Sequence, residues 1–260
     1  MSDKPIYVKL RNDQGQFYGS YSVMNDLVDV SGLPWIDQTE FNIESPGLFL
    51  VPAINGNTLA WARDGRRKCR LVAYQIERWL TTADDFAPTG FDELWVADRH
   101  QARQLKDRPY VRYVPVGSNA GIGKPPTEKR YDLAPLAYIY GRRAELIHEI
   151  RQQGWTIAPS AFNPERDKIL SATRCGLSVH QHNGDPSYNP LRSCIFSAFK
   201  LPQIFEYVKD PYPISAYSLS EIGEAMSDPR GYAEKNFKVQ CEELEFRSVI
   251  ERAARGESFD

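Results

Sequence analysis

The sequence lacks the long apolar runs that mark membrane proteins. No stretch approaches the roughly 18 consecutive apolar residues of a membrane-spanning helix. The amino-terminal segment MSDKPIYVKL also lacks the basic and then apolar pattern of a secretory leader. We therefore expect a cytoplasmic protein that does not bind membranes.

Cysteine and histidine are scarce, and their spacing argues against a metal site. The four cysteines include no CxxC pair, so we expect reduced, mainly buried thiols. His180 and His182 share a strand face and have Asp185 nearby, which makes a metal one interpretation of this segment. A third histidine or cysteine at suitable spacing is missing, and we predict no metal.

Three common phosphate-binding or catalytic motifs are also absent. The chain contains no GxSxG elbow, no GxGxxG fingerprint and no GxxxxGK[ST] loop. These absences argue against an α/β-hydrolase, a dinucleotide-dependent reductase and a P-loop enzyme.

The composition is that of an ordinary globular protein. Of the 260 residues, 42% are hydrophobic and 25% are charged, which is enough for one large or two small packed domains. The net charge of −2 argues against a generally basic surface for nucleic acid, although a local basic patch remains compatible with it.

Apolar segments alternate with helical ones along the whole chain, which predicts an α/β fold. The predicted strands are Ile6–Leu10, Gly47–Pro52, Cys69–Ile76, Phe91–Ala97, Val111–Val116, Leu136–Tyr140, Gly176–His180 and Leu201–Phe205. The predicted helices run through Val23 to Gly32 and over Ala144–Gln153, Asp167–Cys175, Leu191–Phe199 and Tyr232–Ala254.

A linker-like segment divides the two halves. Residues 117–130, GSNAGIGKPPTEKR, contain three glycines and two prolines among mixed charges. We predict an amino-terminal Rossmann-like domain over residues 1–118 and a second over residues 119–260 that includes the carboxyl-terminal helix.

The segment YNPLRSCIFSAFKLPQIFEYVKD, residues 188–210, is central to the functional prediction. It is read as a turn, a short helix with Arg192 in its first turn, and a strand that ends at Glu206. Ligands of open α/β sheets bind where strand ends meet helix amino termini. A guanidinium suits a phosphate and a carboxylate suits paired ribose hydroxyls, although both residues also fit ordinary surface ion pairs.

Arg192, Ala198, Pro202, Ile204 and Glu206 together resemble the donor segment of GT-B glycosyltransferases, including the CgeB-like and phage-type members. In that family an arginine precedes a helix and a glutamate holds the nucleotide ribose. Where the family usually has a helix glutamate and, five residues later, a glycine, this chain has Ile195 and Lys200.

The resemblance implies two Rossmann-like domains and transfer of a sugar, with hexose as the expected sugar, from a nucleotide-sugar co-substrate, for which a uridine diphosphate sugar is expected. No cofactor is required. The expected donor-binding residues are Gly19 in the loop after the first strand, Gly141, Arg142 and Arg143 at the start of a helix, and His180, Tyr188, Asn189, Arg192 and Glu206.

Two acidic residues at predicted strand ends are candidates for the catalytic base. Glu77 and Asp98 each follow a buried-type strand in the first half, and partial burial raises a carboxyl pKa toward neutrality. A structural ion pair is the alternative for each of them.

A basic cluster follows Trp61 in the first half. It comprises Arg63, Arg66, Arg67, Lys68 and Arg70. Basic groups beside an aromatic ring suit a phosphate backbone and a base, so the expected acceptor-binding residues are Trp61, Arg63, Arg66, Arg67 and Lys68. The cluster resembles that of phage enzymes that glucosylate hydroxymethylated bases in DNA. A solvated loop and a small-molecule, carbohydrate or protein acceptor are the alternatives.

The departures at Ile195 and Lys200 keep a second class of function open. A module with the same fold that binds a nucleotide or DNA without transferring a sugar would tolerate both residues. Hydrolysis of a nucleotide sugar by the pure protein would distinguish the two.

Overall fold

The computed structural model describes residues 4–11, 20–52, 54–76, 89–105, 108–124, 128–160, 165–180, 189–208 and 210–259. Contacts divide the chain into two compact units. The first is Met1–Gly117 together with Glu245–Asp260, and the second is Ser118–Leu244.

The first unit is built on a parallel sheet. Its elements in chain order are β1 (Pro5–Lys9), α1 (Ser20–Ser31), β2 (Trp35–Asp37), β3 (Leu48–Val51), α2 (Gly56–Arg63), β4 (Arg70–Gln75), β5 (Glu93–Val96), α3 (Arg99–Gln104) and β6 (Val111–Tyr113). The strand order is β2-β1-β3-β4-β5-β6, and all described pairs are parallel. Strands such as β3, LFLV, are buried along their whole length, as expected for a sheet covered on both faces. The predicted strands coincide with β1, β3, β4, β5 and β6 apart from their ends.

Helix α2 lies in a segment for which the sequence analysis predicted no helix or strand. Its start is a capping box, in which the Asn55 side chain accepts from the Thr58 N–H at 3.0 Å and the Thr58 hydroxyl accepts from the Asn55 N–H at 2.8 Å. This reciprocal pair satisfies two free backbone donors. Trp61 and Arg63 are therefore helical residues.

The second unit contains a smaller parallel sheet. Its elements are β7 (Tyr131–Pro135), α4 (Arg142–Gln152), α5 (Glu165–Ser171), β8 (Thr173–Ser178), α6 (Pro190–Ala198), β9 (Gln203–Phe205), β10 (Tyr217–Ser218), α7 (Ile222–Ala225) and α8 (Tyr232–Phe237). The strand order is β10-β9-β8-β7. An α/β chain with parallel sheets is thus confirmed.

Two predicted elements of the second unit were wrong. The strand is β7, Tyr131–Pro135, and the predicted strand Leu136–Tyr140 is the segment after it. Pro135 is the last residue of β7, which lies at the edge of the sheet, where proline is tolerated. Helix α5 ends at Ser171, so Cys175 lies in β8 and not in a helix.

The predicted helix Tyr232–Ala254 is interrupted. After α8, a π-helical segment spans Lys238–Glu243, and α9 spans Phe246–Ala254. The Glu245 side chain caps α9 by accepting from the Ser248 N–H at 2.9 Å. Helix α9 packs on α1 and β1. The contacts therefore end the second unit at Leu244, whereas the sequence prediction extended it to residue 260.

The cysteine prediction is confirmed, since all four thiols are free and buried. Within the described ranges, no helix has the length and apolarity needed to cross a membrane. The cytoplasmic location stays a prediction.

Candidate functional site

Several predicted donor residues of the second unit, among them Arg142, His180 and Glu206, follow the carboxyl ends of three neighbouring strands. Arg142 and Arg143 follow β7, Val179 and His180 follow β8, and Glu206 follows β9. Parallel pairing brings these strand ends to one edge of the sheet, which is where open α/β sheets bind ligands.

Gly141 sets the position of the two adjacent arginines. Its φ of 53° and ψ of −135° lie in a region that residues with a Cβ rarely adopt. The Gly141 carbonyl accepts from the N–H of Ala144 at 2.9 Å, which closes the first turn of α4. Arg142 and Arg143 are consequently the first two residues of that helix.

Arg142 and Glu206 form a two-point ion pair. Nη1 of Arg142 donates to Oε2 of Glu206 at 3.0 Å, and Nη2 donates to Oε1. Nη1 also donates to the His180 carbonyl at 3.2 Å, and the His180 N–H donates to Oε2 of Glu206 at 3.0 Å. Residues after three adjacent strands are thereby tied together.

The environment of Glu206 favours its charged form. Burial raises the pKa of this carboxyl, but the hydrogen bonds from Arg142 and from the His180 backbone outweigh burial and leave the pKa below its ordinary value. The carboxylate side chain is 13% exposed. It therefore stays ionised at neutral pH.

Arg143 and Arg192 converge on one backbone carbonyl. Nε of Arg143 and Nη1 of Arg192 each donate to the Val179 oxygen at 3.3 Å. Arg143 also donates to the Tyr138 carbonyl at 3.3 Å, and burial lowers its pKa. These acceptors could not be predicted from the sequence, because any residue can supply a backbone carbonyl. Its role could be found only from the geometry.

Helix α6 holds Arg192 in place. The Asn189 side chain accepts from the Arg192 N–H at 3.1 Å, and Pro190 occupies the first helical position. A Cβ on Gly176 of β8 would lie 2.4 Å from the Phe196 ring, so the glycine lets α6 approach the strand closely. Asn189 therefore acts first as a helix cap.

The His180 side chain has a structural contact of its own. The ring Nε2 lies within hydrogen-bond distance of the Tyr207 carbonyl, and the residue is 9% exposed. The imidazole therefore orders the chain just after Glu206.

The two departures from the family pattern have clear structural explanations. Ile195 is fully buried in α6. Lys200 has a φ of 51° and follows the helix as the left-handed residue of a Schellman motif, with Leu201 N–H donating to the Phe196 oxygen at 3.0 Å. A glycine is the usual residue in that conformation, which accounts for the family preference.

Some predicted site residues lie outside the described part of the chain. They are Gly19, Glu77 and Tyr188, together with His182 and Asp185 of the metal alternative. Their assignments stay predictions.

Asp98, the other candidate base, caps a helix. Its carboxylate accepts from the Gln101 N–H at 3.1 Å at the start of α3, and the residue is 8% exposed. A cap of this kind accounts for a buried carboxylate without catalysis.

The basic cluster lies at the amino edge of the first sheet. Arg70 is the first residue of β4, and its ion-pair partner Glu93 is the first residue of β5. This is the edge opposite to the one where ligands of such sheets bind. The position of Arg70 in the sheet therefore does not support the predicted acceptor-binding role of the cluster.

Carboxylates engage the arginines of this cluster. Arg66 pairs with Asp64 at 2.8 Å, and the Arg66 hydrogen bond lowers the pKa of Asp64 to about 2. Arg67 pairs with Asp92 just before β5, and also donates to the Cys69 carbonyl at 3.0 Å. The charge of the cluster is largely matched locally.

Trp61 likewise has packing partners within the first unit. Its ring centroid lies 4.8 Å from that of Phe41, and both rings pack against the buried core. The packing accounts for Trp61 without a nucleic-acid base.

No family model and no curated protein sequence matches the chain. Among solved structures, AviGT4, a glycosyltransferase involved in avilamycin A biosynthesis, aligns with a TM-score of 0.57 and 11% identity over 97% of this chain and 98% of its own. The DNA-modifying enzyme β-glucosyltransferase aligns with a TM-score of 0.48 and 11% identity, over 96% and 94% of the two chains. The lipopolysaccharide outer core galactosyltransferase WaaB aligns with a TM-score of 0.46 and 10% identity, over 95% and 94%.

The alignment with AviGT4 covers nearly the whole of both chains. The chain therefore has the GT-B glycosyltransferase fold that its donor segment predicted. At this identity the likeness establishes the fold and nothing finer.

Proposed function

We propose that the protein is a glycosyltransferase that transfers a sugar, with hexose as the expected sugar, from a nucleotide-sugar donor to an acceptor hydroxyl. The observation that carries this proposal is the convergence of Arg142, Arg143, Arg192 and Glu206 at the carboxyl edge of the second sheet. The GT-B fold supports it. We propose a uridine diphosphate sugar as donor, with no required cofactor.

Arg143 and Arg192 are the proposed diphosphate ligands. Their shared contact with the Val179 carbonyl orients both guanidinium groups, and a neutral oxygen does not itself neutralise a guanidinium. Charge-assisted, two-point bonds suit a phosphate. Preorganised cations of this kind stabilise the diphosphate as it leaves with the negative charge that develops in the transition state.

Glu206 is the proposed ribose ligand, but most of its acceptor capacity is occupied. A carboxylate offers about four lone-pair positions, and three of them receive donors from Arg142 and the His180 backbone. Binding of both ribose hydroxyls therefore requires Arg142 to release at least one oxygen. A diphosphate that attracts Arg142 would promote this release.

For the catalytic base and for the acceptor, we propose a small set of candidates. We propose Glu77 or Asp98 as the base that deprotonates the acceptor hydroxyl. Hydroxymethylated duplex DNA is the acceptor to test first, through Arg63, Arg66, Arg67 and Lys68. The ion pairs of Arg66 and Arg67 weaken that choice relative to a small-molecule or carbohydrate acceptor.

A nucleotide-binding module without transfer is the second candidate. It is favoured by Ile195, which is fully buried at the position of the family glutamate and provides no carboxylate for the donor sugar. Under this alternative the same arginines bind nucleotide and no sugar is transferred.

Calorimetry with uridine diphosphate (UDP) and uridine diphosphate glucose tests the donor proposal. We expect Arg192→Ala to weaken both ligands. The matched control Arg174→Ala should leave their affinity unchanged, because this residue is near the amino end of β8 and pairs with Asp132 at 3.6 Å. Lack of nucleotide binding by the unmodified protein would refute both candidates.

Release of labelled glucose then distinguishes the two candidates. Slow hydrolysis of the donor, or transfer to any acceptor, supports the transferase. Nucleotide binding without either reaction supports the module.

A further inference from the structure

The first unit contains a cavity whose wall is rich in arginine. Its volume is about 400 Å³. It lies along β6, the last strand of the sheet, between helix α3 and the chain after α9. The lining residues are Arg99, Ala102, Arg103, Val111, Arg112, Tyr113, Gly256 and Ser258.

Helix α3 presents two of the three arginines together. Arg99 and Arg103 are four residues apart, so their side chains lie on the same face of the helix. Ala102 of α3 packs with Tyr113 of β6 in the core of the unit. This packing fixes the helix beside the strand and directs the basic face at the cavity.

Arg112 forms the wall on the other side and binds the chain segment that also lines the cavity. Its Nη1 donates to the Ala253 carbonyl at 2.8 Å, and its Nη2 donates to the Glu257 carbonyl at 2.7 Å. A guanidinium has five N–H donors, so these two bonds leave others for a ligand. Glu93 lies 3.5 Å from Nη1 and balances part of this charge.

Within residues 255–259, the described part of the chain after α9, no acidic side chain lines the cavity. The Glu257 carboxylate pairs with Arg252 at 2.8 Å and with Arg255 at 2.7 Å. Gly256 has a φ of 88°, a conformation that favours glycine and lets the chain turn at this point. The carboxyl-terminal segment contributes Gly256 and Ser258 to the cavity wall.

These observations define the chemistry of a ligand. Among the described residues that form the wall, three carry guanidinium groups and none carries a carboxylate. Arginines bind phosphates through paired, charge-assisted hydrogen bonds. A volume of about 400 Å³ fits a small molecule. We propose that this cavity is a second anion site, which binds a small phosphate-bearing ligand independently of the donor site.

Three arginines favour a phosphate over a carboxylate because a phosphate or diphosphate carries more charge on adjacent oxygens.

An alternative role for positive charge beside an edge strand is to discourage that strand from pairing with another strand. The experiment must therefore separate ligand binding from protection of the edge.

Calorimetry with inorganic pyrophosphate is the direct test. It is performed on the Arg143→Ala/Arg192→Ala protein, in which the proposed donor contacts are removed. We expect one pyrophosphate to bind. Adding Arg99→Ala and Arg103→Ala should weaken it at least tenfold, whereas the control Arg247→Ala, on α9 and paired with Glu251, should leave it unchanged.

Other variants and probes keep the test decisive. Arg103 is exposed, so Arg103→Glu is expected to fold and should also weaken pyrophosphate. No binding in the starting protein, or equal binding after the arginines are replaced, would overturn the proposal and leave edge protection as their role. Binding of malonate as tight as that of pyrophosphate would overturn the assignment to phosphate.

Discussion

Two groups of arginines invite comparison, because they look alike in sequence and differ in the structure. Arg66, Arg67 and Arg70 lie at the amino edge of the first sheet, and each pairs with a carboxylate. Arg142, Arg143 and Arg192 lie at the carboxyl edge of the second sheet. There, Glu206 pairs with Arg142, and a carbonyl orients the other two.

The two groups differ in whether the partner of each arginine neutralises the guanidinium charge. A carboxylate partner both fixes an arginine and neutralises it, whereas a carbonyl oxygen fixes it without neutralising it. The edge of the sheet adds a second criterion, because the carboxyl edge is where such folds bind ligands. A basic composition alone therefore does not identify a phosphate site.

The largest expected effect comes from replacing the carbonyl-oriented arginines. Arg143→Ala and Arg192→Ala should each weaken UDP by about 1.5–3 kcal/mol, the usual range for a hydrogen bond to a charged group. The loss for uridine should be much smaller. Calorimetry gives both affinities.

The control for that prediction is Arg66→Ala in the other group, which should leave UDP binding unchanged. Equal losses for UDP and uridine would show that Arg143 and Arg192 only support the structure. The contrast between the two groups would then disappear.

The next effect concerns the shared carboxylate. Glu206→Ala should weaken UDP by about 1–3 kcal/mol, because the ribose hydroxyls lose their acceptor. Arg142→Ala should have the opposite effect on uridine, which carries no phosphate to draw the arginine away from Glu206. We expect uridine to bind more tightly to this variant and UDP to bind more weakly.

Calorimetry on the two variants shows whether Arg142 competes with the ribose for Glu206 or only positions Glu206 for it. If Arg142 instead holds Glu206 in the orientation that the ribose needs, Arg142→Ala will weaken uridine as well. An unchanged UDP affinity in Glu206→Ala would remove Glu206 from the site.

The sequence predicted the fold better than it predicted the site. Continuous apolar runs located most strands, since buried parallel strands need them. It misplaced β7, because Pro135 and Asp132 disguise an edge strand whose polar side chain has a partner, the Thr156 hydroxyl at 2.6 Å. It also missed the capping box that starts α2 at Asn55.

The site was predicted only as a set of residues near strand ends. The pattern around Arg192 and Glu206 indicated the carboxyl edge of the sheet, where Glu206 follows β9, because strand ends can be read from apolar runs. It did not indicate that Arg142 occupies Glu206 or that Val179 orients two arginines. Those are long-range contacts, and they depend on the packing of α4 and α6 against separate strands.

A smaller effect is expected on the salt dependence of DNA binding. Replacing Arg66, Arg67 and Lys68 by Ala would reduce the salt dependence of DNA binding by up to about three ions if each contacted a phosphate. Arg66 and Arg67 already pair with Asp64 and Asp92, so we expect a reduction of about one ion, from Lys68.

Binding of hydroxymethylated duplex at several salt concentrations measures the slope. A reduction near three would show that DNA displaces both carboxylates and would make the two arginine groups alike in function. Absence of DNA binding would leave a small-molecule, carbohydrate or protein acceptor.

The smallest effect concerns the helix that carries Arg192. Lys200 ends this helix with a φ of 51°, a conformation that costs a residue with a Cβ about 1–2 kcal/mol relative to glycine. Its ammonium lies 3.1 Å from Glu234 and 4.2 Å from the centre of the Phe237 ring, contacts that offset part of this cost. Because Lys200→Gly removes the strain and these contacts together, we expect a net stabilisation of only about 0.5 kcal/mol.

Urea unfolding measures this change in the free energy of unfolding. Lys200→Ala is the matched control, because it loses the same contacts, keeps the strain and should be destabilised. UDP affinity should be unchanged in both variants, because Lys200 follows the carboxyl end of α6 and Arg192 lies in its first turn. A Lys200→Gly protein less stable than Lys200→Ala would show that the left-handed conformation is not what favours glycine here.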